Sequence, residues 1–306
     1  QHLTALQAAT EIGNAEVRGD ALHSRDVTFT PQGVLAGTYH FSVGTAGSVM
    51  LVLQTVMPVL MQADARSLLT IEGGTHNPFA PPFEFLDRCV LPLLNRLGSR
   101  ISATLERPGF YPAGGGRACV AIEPSATTRK LELLERGELG AIRAMAVVSR
   151  LPRHIAEREL ATLAKRLNLR DDQTTIVEET RAVGPGNVVS VEIESANVTE
   201  QFTGFGKQGV SAERVAAGVA RSQSLSGCRC AGWITLGRST SSAVSLRGRR
   251  LLPHLRTDTA YADEHRCHSA ISGSPDRCSS GNRRSLAHQC WRLRFSTARP
   301  EKVTRR

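Results

Sequence analysis

The sequence predicts a mixed α/β fold (α+β), in which helices pack on sheets of short strands. Three observations support this class. Strand and helix patterns alternate through the first 135 residues, glycine-rich turns lie at the ends of the strand patterns, and a further strand–helix–strand–strand run follows. The order suggests repeated βαβαββ units, which would form a large domain at 1–130 with a smaller inserted domain at 131–221.

The first part of the chain has the clearest periodicity. "LTALQAATEIGNAEV" places apolar residues on one helical face. "VMLVLQTVMPVLM" is too short and too interrupted to span a bilayer, so we interpret it as a buried helix. Another helix is expected from Phe83 to Leu97. Strands are predicted for "DVTFTPQG", "GTYHFSVG", "SLLTIEGG", "ISATLERPGF" and "RACVAIEP".

Residues 131–221 form the second patterned segment. "GAIRAMAVVSRL" is strand-like, and "PRHIAERELATLAKRL" is a helix that begins near Pro152. "QTTIVEETRA" and "NVVSVEIES" alternate apolar and polar residues, as half-buried strands do. A strand, a turn and a helix capped by Ser211 complete the segment.

The positive charge is confined to the end of the chain. Residues 1–220 hold 21 Lys+Arg and 23 Asp+Glu, whereas residues 221–306 hold 17 and 5. No helical or strand period continues in 222–306, which is typical of a disordered basic tail. Five of the seven cysteines lie there without CxxC spacing, so a zinc site is not indicated. The two remaining cysteines fit a reducing, cytoplasmic compartment.

Four glycine-rich turns are the strongest candidates for function: "GTAGS", "GGTHNP", "GFYPAGGG" and "GPGN". Such turns can cradle phosphate or admit an RNA backbone, but each one alone can also be an ordinary tight turn or a flexible hairpin loop. None matches a Walker A loop or a dinucleotide fingerprint. No Ser-His-Asp or Cys-His arrangement is visible, and His154 at the start of a helix fits a basic surface role.

Two further features leave alternatives open. Gln54 lies in an otherwise apolar helix, where it either faces a ligand or is a satisfied core amide. Three phenylalanines flank Pro81 and Pro82 and form an apolar wall, which favours a core role, although proline and aromatic faces can also sandwich a purine. They are Phe79, Phe83 and Phe85.

Taken together, the patterned stretches resemble the RNA 3'-terminal phosphate cyclases from Gln1 to about Ala220, in the order and spacing of that family. "GFYPAGGG" and "GPGN" are the most specific markers. The other matching stretches are "QHLTALQAATEI", "GTAGSVMLVLQTVMPVL", "GGTHNPFAPPFEFL", "PRHIAERELATL", "NVVSVEIESANVTEQF" and "GVSAERVAA".

The resemblance implies three βαβαββ repeats, a thioredoxin-like inserted domain and an ATP-dependent ligase reaction. A histidine would attack the α-phosphate of ATP, the AMP would pass to an RNA 3'-phosphate, and the 2'-hydroxyl would close a 2',3'-cyclic phosphate. By position, Gln54, Gln1 and Pro82 would bind ATP. A divalent metal (Mg or Mn) would assist, and no residue of this chain is assigned to it.

The chain departs from this family at both ends. The family's first strand and "GEGGGQ" loop would precede Gln1, and its "HTLTN" nucleophile motif is absent, because His265 and His268 stand in another context. With free choice of codons, the stretch from Arg221 to Trp233 read one base later can encode "EVSRYLAAGAPVG". Read the same way, 236–243 can encode "LADQLVLP", and 256–277 can encode "APTRHTLTNIDVIQRFLGVRI". A single frameshift near Arg221 would therefore explain both the basic, cysteine-rich composition of 222–306 and its lack of periodicity.

Three interpretations follow for the whole chain. It is a cyclase that lacks activity as printed, a non-catalytic cyclase-like protein of RNA processing or ribosome assembly, or a pseudogene product. We expect RNA 3' ends and ATP as partners, with no membrane and no stable protein partner.

Overall fold

Two four-stranded mixed sheets and a two-stranded hairpin organise this protein. The structure, a computed structural model, describes residues 1–24, 26–125, 127 and 129–226. The mixed α/β class predicted from the sequence is confirmed. Within these ranges, no helix combines the length and the apolar character needed to cross a membrane.

The N-terminal helix is shorter than its sequence pattern suggests. α1 spans His2–Ile12, and β1 (Glu16–Arg18) follows it and pairs antiparallel with β2 (Thr28–Thr30). The helical prediction was therefore wrong beyond Ile12. The Gly13 amide donates to Ala9 O (2.9 Å), and Asn14 then adopts a φ of 42°, so the chain leaves the helix in a left-handed turn.

The first sheet has the strand order β3–β4–β6–β5. β3 and β4 are parallel, and β6 lies antiparallel between β4 and β5. With the intervening helices, this segment has the order βαβαββ. The bounds are β3 (Thr38–Ser42), β4 (Ser67–Gly73), β5 (Arg100–Arg107) and β6 (Gly116–Glu123).

The crossover between β3 and β4 is α2 (Val49–Leu60), the apolar helix expected from the sequence. Ser48 caps it, since its Oγ accepts from Leu51 N (3.4 Å). Leu53 and Leu60 are fully buried against the sheet and α1. A helix that is apolar on nearly all sides is stable only when it is buried, which explains its place in the core.

The helix predicted from Phe83 to Leu97 is not regular. α3 (Phe83–Phe85) and α4 (Leu91–Arg96) flank a π-helical stretch, Leu86–Val90. Pro92 lies in the first turn of α4. Proline has no amide hydrogen and its ring collides with the carbonyl of the preceding turn, so the wider π turn relieves this clash.

The second sheet has the order β10–β9–β7–β8. β7 and β8 are parallel and joined through α5, while β9 pairs antiparallel with both β7 and β10. The strands are β7 (Leu139–Ser149), β8 (Thr174–Glu178), β9 (Gly186–Ser195) and β10 (Thr199–Phe205), and the helices are α5 (His154–Leu167) and α6 (Ala212–Ser226). A single 3-10 turn, Asp171–Gln173, precedes β8.

Packing of α5 follows from its amphipathic pattern. Ala156, Leu160 and Leu163 are buried and recur at helical spacing, whereas the opposite face is exposed. The helix ends at Asn168, whose φ of 52° is left-handed. Ser211 precedes α6 and accepts from Arg214 N (3.4 Å), in agreement with its predicted cap.

The predicted boundaries near 130 and 221 stay a prediction, as do the number of βαβαββ repeats and the thioredoxin-like layout. α6 continues to Ser226. The rest of the segment 222–306, with its five cysteines, His265 and His268, lies outside the described residues, and so does most of the stretch on which the frameshift hypothesis rests.

Candidate functional site

The four glycine-rich turns converge in space, and we call residues 44–48, 73–78, 109–116 and 184–187 the turn cluster. The first two turns are joined by backbone hydrogen bonds from Gly74 N to Gly47 O and from Val49 N to Gly74 O, both 2.8 Å. Asn77 adds a side-chain bond from its Nδ2 to Ala46 O (3.1 Å). The start of α2 is thereby bound to the end of β4.

The third turn, "GFYPAGGG", is bound along the second one. Thr75 N and His76 N both donate to Gly109 O (2.9 and 3.0 Å), and Tyr111 N donates to His76 O (3.1 Å). Gly109 N in turn donates to Thr75 Oγ1 (2.8 Å). With its backbone hydrogen-bonded in both directions, this segment is a packed turn and not a flexible hairpin loop.

Gly114 shows why this turn requires glycine. Its φ is +67°, and its amide donates to Phe110 O (2.7 Å). A Cβ at this position would lie 2.8 Å from the Cα of Ala46. Both the left-handed backbone and the close approach to the first turn exclude a larger residue.

The fourth turn meets the third through Phe110. The Phe110 side chain is 2 % exposed and packs with Val147, Val188 and Ala182 beside the second sheet. A Cβ on Gly186 would overlap the Phe110 ring. "GFYPAGGG" and "GPGN" are therefore complementary halves of one packing contact, which connects the first sheet with the second.

Next to the turn cluster, buried polar side chains are joined in a row by hydrogen bonds. His76 is 2 % exposed, its Nδ1 lies 2.9 Å from Thr75 Oγ1, and its Nε2 lies 3.0 Å from Glu84 Oε2. Burial alone would raise the pKa of Glu84, but the hydrogen bond and charge of His76 outweigh it and lower that pKa. The His76 ring also lies on Phe110, with the centroids 4.9 Å apart.

Sequence reasoning missed this chain of hydrogen bonds. The available signal was weak: a histidine inside "GGTHNP" and a glutamate eight residues later. His154, which the sequence placed on the surface, is indeed exposed at the start of α5.

Of the three residues expected to bind ATP, Gln1 and Pro82 lie next to the turn cluster, and Gln54 lies further along α2. Gln1 Oε1 accepts from Ser48 N (2.7 Å) at the start of α2. Gln54 is partly buried on the same helix, roughly 9 Å further along its axis, and makes a polar interaction. Pro82 is buried beside Phe83, whose amide donates to Thr75 O (3.2 Å). Their roles toward ATP stay a prediction.

The apolar wall expected around the two prolines is only partly a core feature. Phe83 and Phe85 are buried, but Phe79 is 81 % exposed, so the core assignment was wrong for Phe79. Phe79 N donates to Asn77 Oδ1 (2.9 Å), and this Asx turn directs the side chain away from the core.

The described residues contain no group of three or more His, Cys, Asp or Glu side chains that could hold a metal ion. The expected divalent metal therefore has no ligand set in this part of the chain. Burial also raises the pKa of the Cys89 thiol to about 12, so this cysteine stays protonated and does not act as a nucleophile.

Comparison with known proteins gives one consistent result. The sequence model of the family described as RNA 3'-terminal phosphate cyclase matches residues 1–272. A protein of Koribacter versatilis with that name is 50 % identical over 225 residues, which cover 73 % of this chain and 63 % of the relative. Identically named proteins of Ectopseudomonas mendocina and Salmonella agona are 46 % and 47 % identical over 216 and 220 residues, covering 71 % and 72 % of this chain. The chain thus spans less than two thirds of the length of each of these three relatives, 63 % in every case.

Proposed function

Because this chain belongs to the RNA 3'-terminal phosphate cyclase family, we propose that the protein read one base later from about Arg221 converts an RNA 3'-terminal phosphate into a 2',3'-cyclic phosphodiester with the use of ATP, and that the chain as printed is inactive. The observation that carries this proposal is the Phe110 contact. It joins "GFYPAGGG" to "GPGN", the two most specific sequence markers, in one packed unit.

The proposed reaction has three steps. A histidine nitrogen attacks the α-phosphorus of ATP and displaces pyrophosphate, which gives histidyl-AMP. An oxygen of the RNA 3'-phosphate then takes the AMP from histidine, and an RNA adenylate results. Finally, the neighbouring 2'-hydroxyl attacks the activated phosphorus, loses its proton, and releases AMP as the cyclic phosphate closes.

The N-terminal end of α2 supports a nucleotide site in the turn cluster. The dipole of a helix attracts phosphate to its N-terminal end, although Val49 N of α2 already donates to Gly74 O and Leu51 N to Ser48 Oγ. Gln1 Oε1 accepts from the amide of the cap residue, Ser48 N. We propose that Gln1 shapes the phosphate end of the site, that Gln54 donates to or accepts from the nucleotide, and that Pro82 covers the base.

Gln54→Ala tests this site in the full chain. We expect ATP affinity, measured by calorimetry, to fall about fivefold, since one hydrogen bond contributes about 1 kcal/mol. Gln62→Ala is the matched control, because Gln62 is an exposed residue just beyond the same helix, and its side-chain Nε2 donates to the backbone Pro58 O (3.0 Å). Equal affinities for all three proteins would overturn the nucleotide site.

The chain as printed carries no histidine in the family's nucleophile motif. We therefore propose that it does not form histidyl-AMP, and that a frameshift near Arg221 accounts for the loss. Sequencing the DNA across Val210 to Trp233 tests the second statement directly. Incubation with α-labelled ATP tests the first: the chain read one base later from Arg221 should take up an acid-labile label, whereas the printed chain should not.

A non-catalytic role in RNA processing is the alternative, and the missing motif is the observation that favours it. If the chain read in the other frame binds ATP but takes up no label, the cyclase proposal fails and this alternative remains. Complete proteolysis of the purified chain would instead indicate a pseudogene product that does not fold.

A further inference from the structure

An exposed aromatic pair stands on the turn cluster. The rings of Phe79 and Tyr111 lie 6.3 Å apart at an interplanar angle of 86°, and the two residues are 81 % and 53 % exposed. Edge-to-face packing of this kind is a favourable aromatic geometry, so each ring holds the other in place. The pair presents an aromatic face to solvent.

The backbone beneath the pair is held firmly. Phe79 N donates to Asn77 Oδ1 (2.9 Å) and Tyr111 N donates to His76 O (3.1 Å). His76 itself is buried and bonded to Glu84. The two rings are thus fixed to hydrogen-bonded turns, and ordering them on binding has a small entropic cost.

A cation lies at the base of the same turn. Arg107 Nε donates to Gly115 O (2.6 Å), and the side chain makes no ion pair with any other residue that the structure describes. Val183, which is 51 % exposed, covers the other side of Gly115. The exposed ring of Tyr111 and a guanidinium without a carboxylate partner, both on the segment 107–115, offer stacking and phosphate contact.

We propose that Phe79 and Tyr111 form a stacking platform for the bases at the 3' end of single-stranded RNA, with Arg107 contacting its backbone phosphate. This inference rests on the proposed function, which brings such an RNA end to the turn cluster. Phe79 precedes Pro82, the proposed cover of the nucleotide base, by three residues along the same turn.

The chemistry of the patch selects this occupant. Every base has a π face, so stacking tolerates all four, which suits an enzyme that acts on a terminal phosphate and not on a sequence. A stable protein partner would need an interface of about 1,000 Å² or more, far larger than two rings. A second copy of this chain is the competing occupant that the experiment must separate.

The test uses photochemical crosslinking in the full chain. The probe is a single-stranded RNA of about ten nucleotides that ends in 5-iodouridine 3'-phosphate, irradiated at near-physiological salt and mapped by mass spectrometry. We expect the crosslink at Phe79 or Tyr111. A crosslink only in the basic segment 222–306 would overturn the platform, because that segment can bind RNA through charge alone.

Variants give the second readout. Phe79→Ala and Tyr111→Ala should each weaken binding of the same RNA about fivefold or more, as loss of one stacked base predicts. Phe79→Tyr and Tyr111→Phe should restore it, because the ring is retained. Leu22→Ala is the control: Leu22 is a 74 % exposed apolar residue between β1 and β2, and we expect no change.

Three results separate this inference from its competitors. Unchanged RNA affinity in both alanine variants overturns the platform. A Phe79→Ala protein whose sedimentation changes while its RNA affinity does not identifies a contact between two copies, and also overturns it. ATP affinity should remain as in the parent protein in both alanine variants, so a failure of the nucleotide site, seen with Gln54→Ala, is distinguishable from a failure of the platform.

Discussion

The two four-stranded sheets have the same pattern of one parallel and two antiparallel pairs, but they bury different groups. Beneath the first sheet, α2 is apolar, and three of the six buried polar residues described in this region lie in the turn after β4: Thr75, His76 and Asn77. Around the second sheet, four carboxylates are buried: Glu159, Glu179, Glu192 and Glu200.

Most of these carboxylates have an arginine partner. Glu192 binds Arg88 from the π-helical stretch (2.9 Å), and Glu179 binds Arg181 (2.7 Å). The exception is Glu159. It is fully buried, and among the residues that the structure describes it accepts from Asn187 Nδ2 alone (2.9 Å), which leaves its Oε1 without a partner there. Among the described residues, four of the six buried polar residues of the first region therefore lie in the turn cluster, whereas the second region buries four carboxylates, three of which pair with arginine.

The largest expected effect concerns Phe110, the side chain that links the two regions. Phe110→Ala should lower the free energy of unfolding by about 3–5 kcal/mol, because it leaves a cavity in the small apolar cluster. Urea denaturation measures this change. Phe79→Ala is the matched control at an exposed ring, for which we expect less than about 0.5 kcal/mol. Similar losses in both variants would contradict the proposed link.

The second prediction uses the unpaired carboxylate. Burial raises the pKa of Glu159 to about 7, although the hydrogen bond from Asn187 acts in the opposite direction. The folded chain then holds this proton more tightly than the unfolded chain, whose glutamate pKa is about 4.3. This contribution to stability is complete below about pH 4 and is lost as the pH rises through 7, by about 2–4 kcal/mol in total.

Glu159→Gln should therefore remove this part of the pH dependence of unfolding. Denaturation at several values between pH 4 and pH 8 measures it. Glu157→Gln, an exposed position on the same helix, should leave the slope as in the parent protein. If the parent and Glu159→Gln have parallel pH profiles, burial does not raise the pKa of Glu159 in the folded chain.

The smallest effect is expected on the outer surface of the second region. The hydrogen bond from Arg158 (Nε to Oε1, 2.7 Å) lowers the pKa of Glu213 to about 2. Arg158→Gln should bring that pKa, followed by carboxyl NMR, back toward its ordinary value without a measurable change in unfolding. Exposed ion pairs contribute little to stability, so a large loss would show that this pair belongs to the framework.

The sequence by itself determined the α/β class, the apolar helix α2, the strands on either side of "GFYPAGGG" and the family. Local periodicity and turn residues carry these features, and they need no knowledge of distant contacts. The four glycine-rich turns could be recognised from the sequence for the same reason. The residues that pack against them could not.

Only the tertiary structure decided which side chains meet. The pairing of Phe110 with Gly186 joins residues 76 positions apart, and the His76–Glu84 bond depends on the turn that returns through Pro82. Phe79 was assigned to the core because it is apolar, yet its Asx turn exposes it. Burial and pairing depend on how the elements pack, and no periodicity within one segment specifies that packing.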